Sequence, residues 1–376
     1  MSDDKPDAAA LLHLRAAGLV KGAPLALPIT PASMFRLPGE PEAGVDAYGR
    51  MSNPTWVALE EALGHLEGAP VLAFPSGMAA ITAALFATLE AGDRLLLPAD
   101  GYYTPRVLAD RFLKGLGITV ETRPTTRLAE GGFEGIRAVL IETPSNPGLD
   151  LCDLEQITAA IRAAGGVSIV DNTTMTPFGQ APLALGADIV VASDTKAPGG
   201  HSDLLMGHVA SRDTALLAAM RDWRTMTGSI PGAFDAWLLH RSLETLELRF
   251  ERMCDTADAI APRLARHRAV HALSFPGLPD HPQHGLATRQ MRRAGFLIGL
   301  SLADAATAER FIAACPLIEP TTSFGGVHTT GERRARWGDD VAPGFVRLSV
   351  GTEPADALWD AIDRALTDAE DPGGRS

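Results

Sequence analysis

The chain has 376 residues, enough for one large domain and a smaller one, and with 46% hydrophobic and 21% charged residues it reads as globular rather than disordered or fibrous. Acidic residues outnumber basic ones 46 to 33, giving a formal net charge of -13, which disfavours nonspecific binding to nucleic acid or to an anionic membrane. Three cysteines, Cys152, Cys254 and Cys315, stand far apart with no C-x-x-C spacing, so neither a disulfide framework nor a zinc site is expected.

The first ten residues are acidic and lead into no signal-type apolar core, and no apolar run reaches membrane-spanning length; a cytoplasmic protein is expected. Residues 1–55 are rich in Pro, Gly and Ala and hold little core of their own, so they are expected to wrap over something larger, such as a neighbouring subunit. They end in Tyr48-Gly-Arg50-Met-Ser-Asn53-Pro54-Thr55, a polar turn before a helix over 55–67, with the Thr55 hydroxyl as its expected cap. That helix carries Trp56, Leu59, Leu63 and Leu66 in a stripe of helical period.

Next comes a short strand over 70–74, then Pro75-Ser76-Gly77-Met78 opening an Ala-rich helix. Strand, tight turn and helix start together make an anion site, because free N–H groups and the helix dipole converge there. The absence of a P-loop lysine argues against a nucleotide triphosphate. A strand over 94–98 delivers Tyr102, an aromatic able to stack on a flat ring or shuttle a proton. A strand over 138–142 leads to Asn146, one over 167–171 ends in Asp171, and the β-branched run from Ala187 ends in Ser193-Asp194-Thr195-Lys196.

In an open, mostly parallel α/β sheet, ligands bind at the carboxyl edge of the strands. Five strand ends there supply an anion turn, Tyr102, Asn146, Asp171 and Lys196. A lysine shielded by apolar neighbours can lose its proton near neutral pH and condense with an aldehyde, and Ser193 and Thr195 offer hydroxyls to a phosphate. A phosphate cradle, a ring stacker, a carboxylate for a pyridine nitrogen and a reactive lysine are the parts that pyridoxal phosphate (PLP) needs.

Beyond 210, the segment 214–226 and the longer segment 234–267 have helical patterns, the second long enough to bridge two domains. From about 270, strand-like runs at 295–301 and 345–350 alternate with helices, as in a separate α+β domain. The boundaries expected are 1–55 for an N-terminal arm, 56–245 for the large domain and 246–376 for the small one. The stretch Gly331-Glu-Arg-Arg-Ala-Arg336 reads as a solvated basic face, and the histidines at 267, 271, 281 and 284 as surface residues without metal-site partners.

With these residues in place, the sequence resembles the PLP-dependent enzymes of cysteine and methionine metabolism, the transsulfuration family of cystathionine γ-synthase, γ-lyase and β-lyase. The motifs that carry the resemblance are YGRMSNPT at 48–55, SGM at 76–78, ETPSNP at 142–147, DNT at 171–173, SDTK and GHSD between 193 and 203, and RLSVGTE at 347–353. It implies the fold-type I, aminotransferase-like α/β fold, assembled as dimers or tetramers that share active sites. By the same resemblance Lys196 joins the cofactor aldehyde, Asp171 partners the pyridine nitrogen and Tyr102 stacks on the ring. Gly77, Met78, Ser193 and Thr195 hold the phosphate with Tyr48 and Arg50 of the neighbouring subunit, and Arg347, helped by Asn146 and Ser323, takes the substrate α-carboxylate.

The chain departs from the family in two places. Ala197-Pro198 follows the lysine where relatives have a tyrosine, and Thr322-Ser323-Phe324-Gly325-Gly326 stands where many read Glu-Ser-Leu-Gly-Gly. The activity implied is carbon–sulfur cleavage of L-cystathionine by α,γ-elimination, with β-elimination, γ-replacement and methionine γ-cleavage as alternatives. A catalytically silent binding protein of the same fold would lack the lysine or the aspartate, and both are present.

Overall fold

The computed structural model describes residues 5–40, 42 and 44–370; positions 1–4, on which part of the leader reading rests, lie outside the described residues. Seven strands form the large sheet: β1 (Val71–Phe74), β2 (Arg94–Pro98), β3 (Thr119–Arg123), β4 (Ala138–Glu142), β5 (Val167–Asp171), β6 (Ile189–Ala192) and β7 (Gly207–Ser211), in spatial order β1-β7-β6-β5-β4-β2-β3. Four pairings, β2–β3, β2–β4, β4–β5 and β5–β6, are parallel, and β7 runs antiparallel to both neighbours. β1, β4 and β6 are buried along their whole length, which is why they read as continuous apolar runs rather than alternating ones. The large α/β sheet with its smaller partner sheet is the expected fold class. β3 and β7 were not anticipated, because Thr119-Val-Glu-Thr-Arg is mostly polar and Gly207-His-Val-Ala-Ser is too short to stand out.

The helix Pro54–Glu67 starts one residue before the expected position and is capped by Asn53, not Thr55. Asn53 Oδ1 accepts from Thr55 N at 2.9 Å, an arrangement worth about 1 kcal/mol. The Thr55 hydroxyl instead accepts from Thr30 N at 2.8 Å and ties the N-terminal arm to the helix. Trp237 Nε1 adds a second tie, donating to Leu27 O at 2.8 Å.

The long helical pattern over 234–267 is interrupted: the chain forms Ala233–Leu243 and Leu246–Leu264, with Thr245 out of helical geometry between them. The break has a visible partner. Arg249, largely buried, folds back so that Nη2 donates to Ser242 O at 2.9 Å, while Nη1 reaches Ala197 O at 2.5 Å and Nη2 also reaches Pro198 O at 3.1 Å. The Ser242 carbonyl, which also accepts from Thr245 N at 3.2 Å, gains a charged donor, and the loop after Lys196 is tied down by the same guanidinium. The first turns of Leu246–Leu264 pack into the core of the large sheet (Leu246, Phe250, Met253), and its later turns pack into a second core (Ala257, Ile260, Leu264).

That second core lies under a four-stranded antiparallel sheet: β8 (Ala272–Ser274), β9 (Leu297–Ser301), β10 (Thr330–Arg333) and β11 (Phe345–Ser349), in order β10-β11-β9-β8. Helices Ala305–Ala314 and Ala355–Glu370 cover it. All three cysteines are free and buried. Among the described residues no helix is long and apolar enough to cross a membrane, and no His/Cys/Asp/Glu group is placed to hold a metal. His267 is more buried than expected, with its side chain 10% exposed beside Asp363.

Candidate active site

A cavity of about 470 Å³ opens where the carboxyl edge of the large sheet meets the small one. Gly77, Met78, Tyr102, Asn146, Asp171, Ser193, Thr195, Lys196, Ser323 and Arg347, all singled out from the sequence, line it. Several stand at element boundaries. Gly77 and Met78 open the helix Gly77–Thr88, where Ser76 caps by accepting from Ala79 N at 3.1 Å and the first amides have no acceptor within the helix. Gly77 cannot be replaced without displacement, since a Cβ there would lie 2.6 Å from Ser193 Cβ. Asp171 is the last residue of β5, and its Oδ1 accepts from Thr173 N at 3.0 Å.

Lys196 sits in the turn after β6, its Nζ 2.6 Å from Ser323 Oγ and 5.0 Å from the centroid of the Phe324 ring. Burial lowers its pKa to about 8 from the ordinary 10.5, and the nearby Arg347 guanidinium pushes the same way, against Asp171. Arg347, on β11, is buried; Nη1 donates to Asn146 Oδ1 at 2.6 Å and Nη2 to Ser323 O at 2.9 Å. Its Nε is buried with no partner, a donor awaiting an acceptor.

Tyr48 and Arg50 are not brought to this cavity. Both are exposed; Arg50 lies over the Tyr48 ring, 5.4 Å from its centroid, and donates to Thr225 O at 2.9 Å. Thr322 lines the cavity, whereas His328 is exposed and outside it.

The basic stretch 331–336 is not a solvated face. Glu332 and Arg334 are buried, and Arg334 and Trp337 line the cavity. Alternation along β10 turns Glu332 inward opposite Arg347, and its carboxylate accepts from Arg347 Nη2 (3.1 Å), Arg334 Nη1 (2.7 Å) and Trp337 Nε1 (2.5 Å). Burial alone would raise the Glu332 pKa, but Arg334 and Arg347 outweigh it and leave the carboxyl below its usual range. A lone acid inside an arginine run is the signal that could have found this cluster.

Glu142 was also passed over. It ends β4 in register with Asp171, and its Oε2 accepts from Tyr102 N at 2.6 Å, which fixes the Tyr102 backbone at the cavity wall. Burial, then the neighbouring Asp171, pushes its carboxyl well above the usual range.

The residues present fit PLP. A helix start with free amides beside Ser193 suits a phosphate, the half-buried Asp171, whose carboxyl desolvation pushes up, suits a cationic ring nitrogen, and Lys196 is desolvated enough to react with an aldehyde.

Comparison with known proteins agrees. Residues 21–367 match the family model described as Cys/Met metabolism PLP-dependent enzyme. A Streptomyces coelicolor protein named "Putative cystathionine gamma-lyase" is 49% identical over 343 residues, covering 89% of this chain and 87% of the relative. A cystathionine β-lyase of Lactococcus lactis subsp. cremoris is 35% identical over 91% of this chain and 94% of its own. Among solved structures, cystathionine γ-synthase from Xanthomonas oryzae pv. oryzae, in complex with cystathionine, superposes with a TM-score of 0.92 at 33% identity, covering 96% of this chain and 98% of that one. The chain belongs to the PLP-dependent enzymes of Cys/Met metabolism and is cystathionine γ-lyase-like.

Proposed function

We propose that this enzyme cleaves L-cystathionine by α,γ-elimination, yielding with water cysteine, 2-oxobutyrate and ammonia. The observation that carries this choice is the 49% identity to the Streptomyces coelicolor protein across nearly the whole of both chains. The cavity supports it by lining one space with a desolvated lysine and a buried arginine that both contact Ser323.

When bound, PLP supplies the electron sink that lets the Cα–H and Cγ–S bonds break. Asp171 would pair with the ring nitrogen and favour its protonated form, and Tyr102 would stack on the ring. The Gly77 and Met78 amides with the Ser193 and Thr195 hydroxyls would hold the phosphate. Arg347 grips the substrate α-carboxylate through donors that include its unpartnered Nε, with Asn146 and Ser323 fixing the guanidinium. The neutral Lys196 Nζ would take the proton from Cα and then move a proton at Cβ; its lowered pKa keeps much of it neutral near pH 8. The Tyr102 hydroxyl assists departure of the sulfur at Cγ by proton transfer.

Tyr48 and Arg50, exposed and away from this chain's own cavity, are assigned to the phosphate site of a second copy, within a homodimer or homotetramer. The division into an arm (1–55), a large domain (56–245) and a small domain (246–376) goes with this reading, the two domains meeting along the helix Leu246–Leu264. A cytoplasmic location is part of the same proposal.

A second reading, β-elimination to pyruvate, ammonia and homocysteine, is favoured by the similarity to the Lactococcus lactis enzyme. Steady-state assay with cystathionine and identification of the keto acid separates the two. 2-Oxobutyrate supports α,γ-elimination; pyruvate replaces it with β-elimination; no keto acid from cystathionine rejects both.

A further inference from the structure

Three charged side chains are buried together beneath the turn that carries Lys196, and none of them lines the cavity. The side chains of His208, Asp194 and Glu67 are 1%, 0% and 3% exposed. His208 Nδ1 lies 2.9 Å from each Asp194 carboxylate oxygen, and Nε2 lies 3.2 Å from Glu67 Oε1. With a carboxylate at each ring nitrogen, both nitrogens donate and the ring is an imidazolium. Burial works against that charge, but the two carboxylates outweigh it and push the pKa up to about 10.

The three residues come from separate elements that converge on His208 beneath the lysine turn. Glu67 closes the helix Pro54–Glu67, His208 lies on β7 between β1 and β6, and Asp194 stands between Ser193 and Thr195. Gly207, the residue before His208, packs so closely on the helix start that a Cβ there would lie 2.6 Å from Gly77 Cα. Thr195 N donates to Met206 O at 3.2 Å, and Gly199 N donates to Asp194 O at 2.7 Å, which closes the turn around Lys196. One strand thus touches both halves of the phosphate cradle, and His208 is its ionic fastening to the lysine turn.

We infer that the Glu67–His208–Asp194 chain is a positioning device for the cofactor: it holds Ser193, Thr195 and Lys196 in register with the Gly77–Met78 helix start, so that the phosphate and lysine sites are occupied together. This rests on the PLP assignment of those residues and is independent of which sulfur amino acid is cleaved. Without the imidazolium, two buried carboxylates face one another and must take up a proton or move apart. Either response shifts Asp194 and carries the flanking hydroxyls with it. Removing Asp194 and His208 together relieves the repulsion and leaves Glu67 at a helix end, but unfastens the turn.

The test uses apoprotein of wild type, His208→Gln and Asp194→Ala/His208→Ala, titrated with PLP and separately with pyridoxal, which lacks the phosphate. Visible absorbance reports uptake, and the melting temperature of each apoprotein is recorded alongside. The expected result is at least tenfold weaker PLP binding in both variants, a smaller loss for pyridoxal, and lower kcat at saturating PLP with KM for cystathionine within twofold of wild type. A role confined to stability lowers the melting temperature but leaves PLP affinity and kcat at wild-type values, and that result overturns the inference. Should His208→Gln fail to fold, the double variant, free of the opposed buried pair, decides by the same comparison. Failure of wild-type apoprotein to take up PLP would instead reject the cofactor assignment beneath the inference.

Discussion

Arg347 and Glu332 face each other across the β10–β11 ladder, with Arg347 Nη2 3.1 Å from Glu332 Oε2. Because the same carboxylate also binds Arg334 and Trp337, the guanidinium at one end of the cavity and the indole at its wall hang on a single buried acid. Glu332 does not itself line the cavity; it acts through Arg347.

Glu332→Gln keeps the shape and one acceptor oxygen but removes the charge that opposes three arginines, Arg334, Arg336 and Arg347. The expected outcome is a KM for cystathionine raised about tenfold, equivalent to about 1.4 kcal/mol of weakened carboxylate binding, with kcat changed much less. Steady-state kinetics read both constants; an unchanged KM removes Glu332 from substrate binding.

Lys196 is expected to make the purified protein yellow through its bond to the cofactor, and Lys196→Ala to abolish turnover while still binding PLP noncovalently. Its lowered pKa gives a second readout. The neutral amine reacts, so the rate of covalent PLP capture by apoprotein should rise with pH and level off above about 8, rather than keep rising to the ordinary 10.5. The sign for stability follows: between those values the unfolded chain binds more protons at this lysine than the folded one, so the Lys196 contribution favours the apo fold more as pH rises through the window. Stopped-flow absorbance across pH checks the capture rate, and wild-type turnover in Lys196→Ala would reject the assignment.

If Arg50 serves a neighbouring subunit, mixing Arg50→Ala with Lys196→Ala chains should restore activity. A hybrid dimer then holds one site with both defects and one with neither. Activity of mixed samples that never exceeds the single variants, with subunit exchange demonstrated by mass, places Arg50 outside the shared site.

Thr322 lines the cavity at the position where many relatives carry an acid, and a threonine cannot form an ion pair with the far ammonium of cystathionine. Homocysteine should therefore compete appreciably in the wild type. Thr322→Glu should improve kcat/KM for cystathionine relative to homocysteine by about tenfold, as one gained charge pair of about 1.4 kcal/mol would give. His328 lies outside the cavity, so His328→Ala should leave the ratio unchanged. Competition assays with both substrates decide; strong rejection of homocysteine by wild type contradicts this account of the pocket.

The sequence by itself determined the large sheet's main strands and what stands at their ends. Apolar runs bounded by Gly, Pro and Ser mark buried parallel strands, and the residue after such a run falls on the ligand edge whatever the rest of the chain does. That local rule, joined to ordered motifs, is why Gly77, Tyr102, Asp171, Ser193 and Lys196 could be named in advance. Tertiary structure decided whatever depended on partners far apart in the chain. The helix over 234–267 is broken where Arg249 turns back on Ser242 and on the loop after Lys196, a contact invisible to helical periodicity. Glu332 and Arg334 read as surface until β10 pairs with β11 and sets Arg347 beside them. His208 and Asp194, 14 residues apart, become a buried ion pair because β7 inserts antiparallel between β1 and β6. A charged side chain looks solvated in a sequence, and only the fold shows which opposite charge makes its burial affordable.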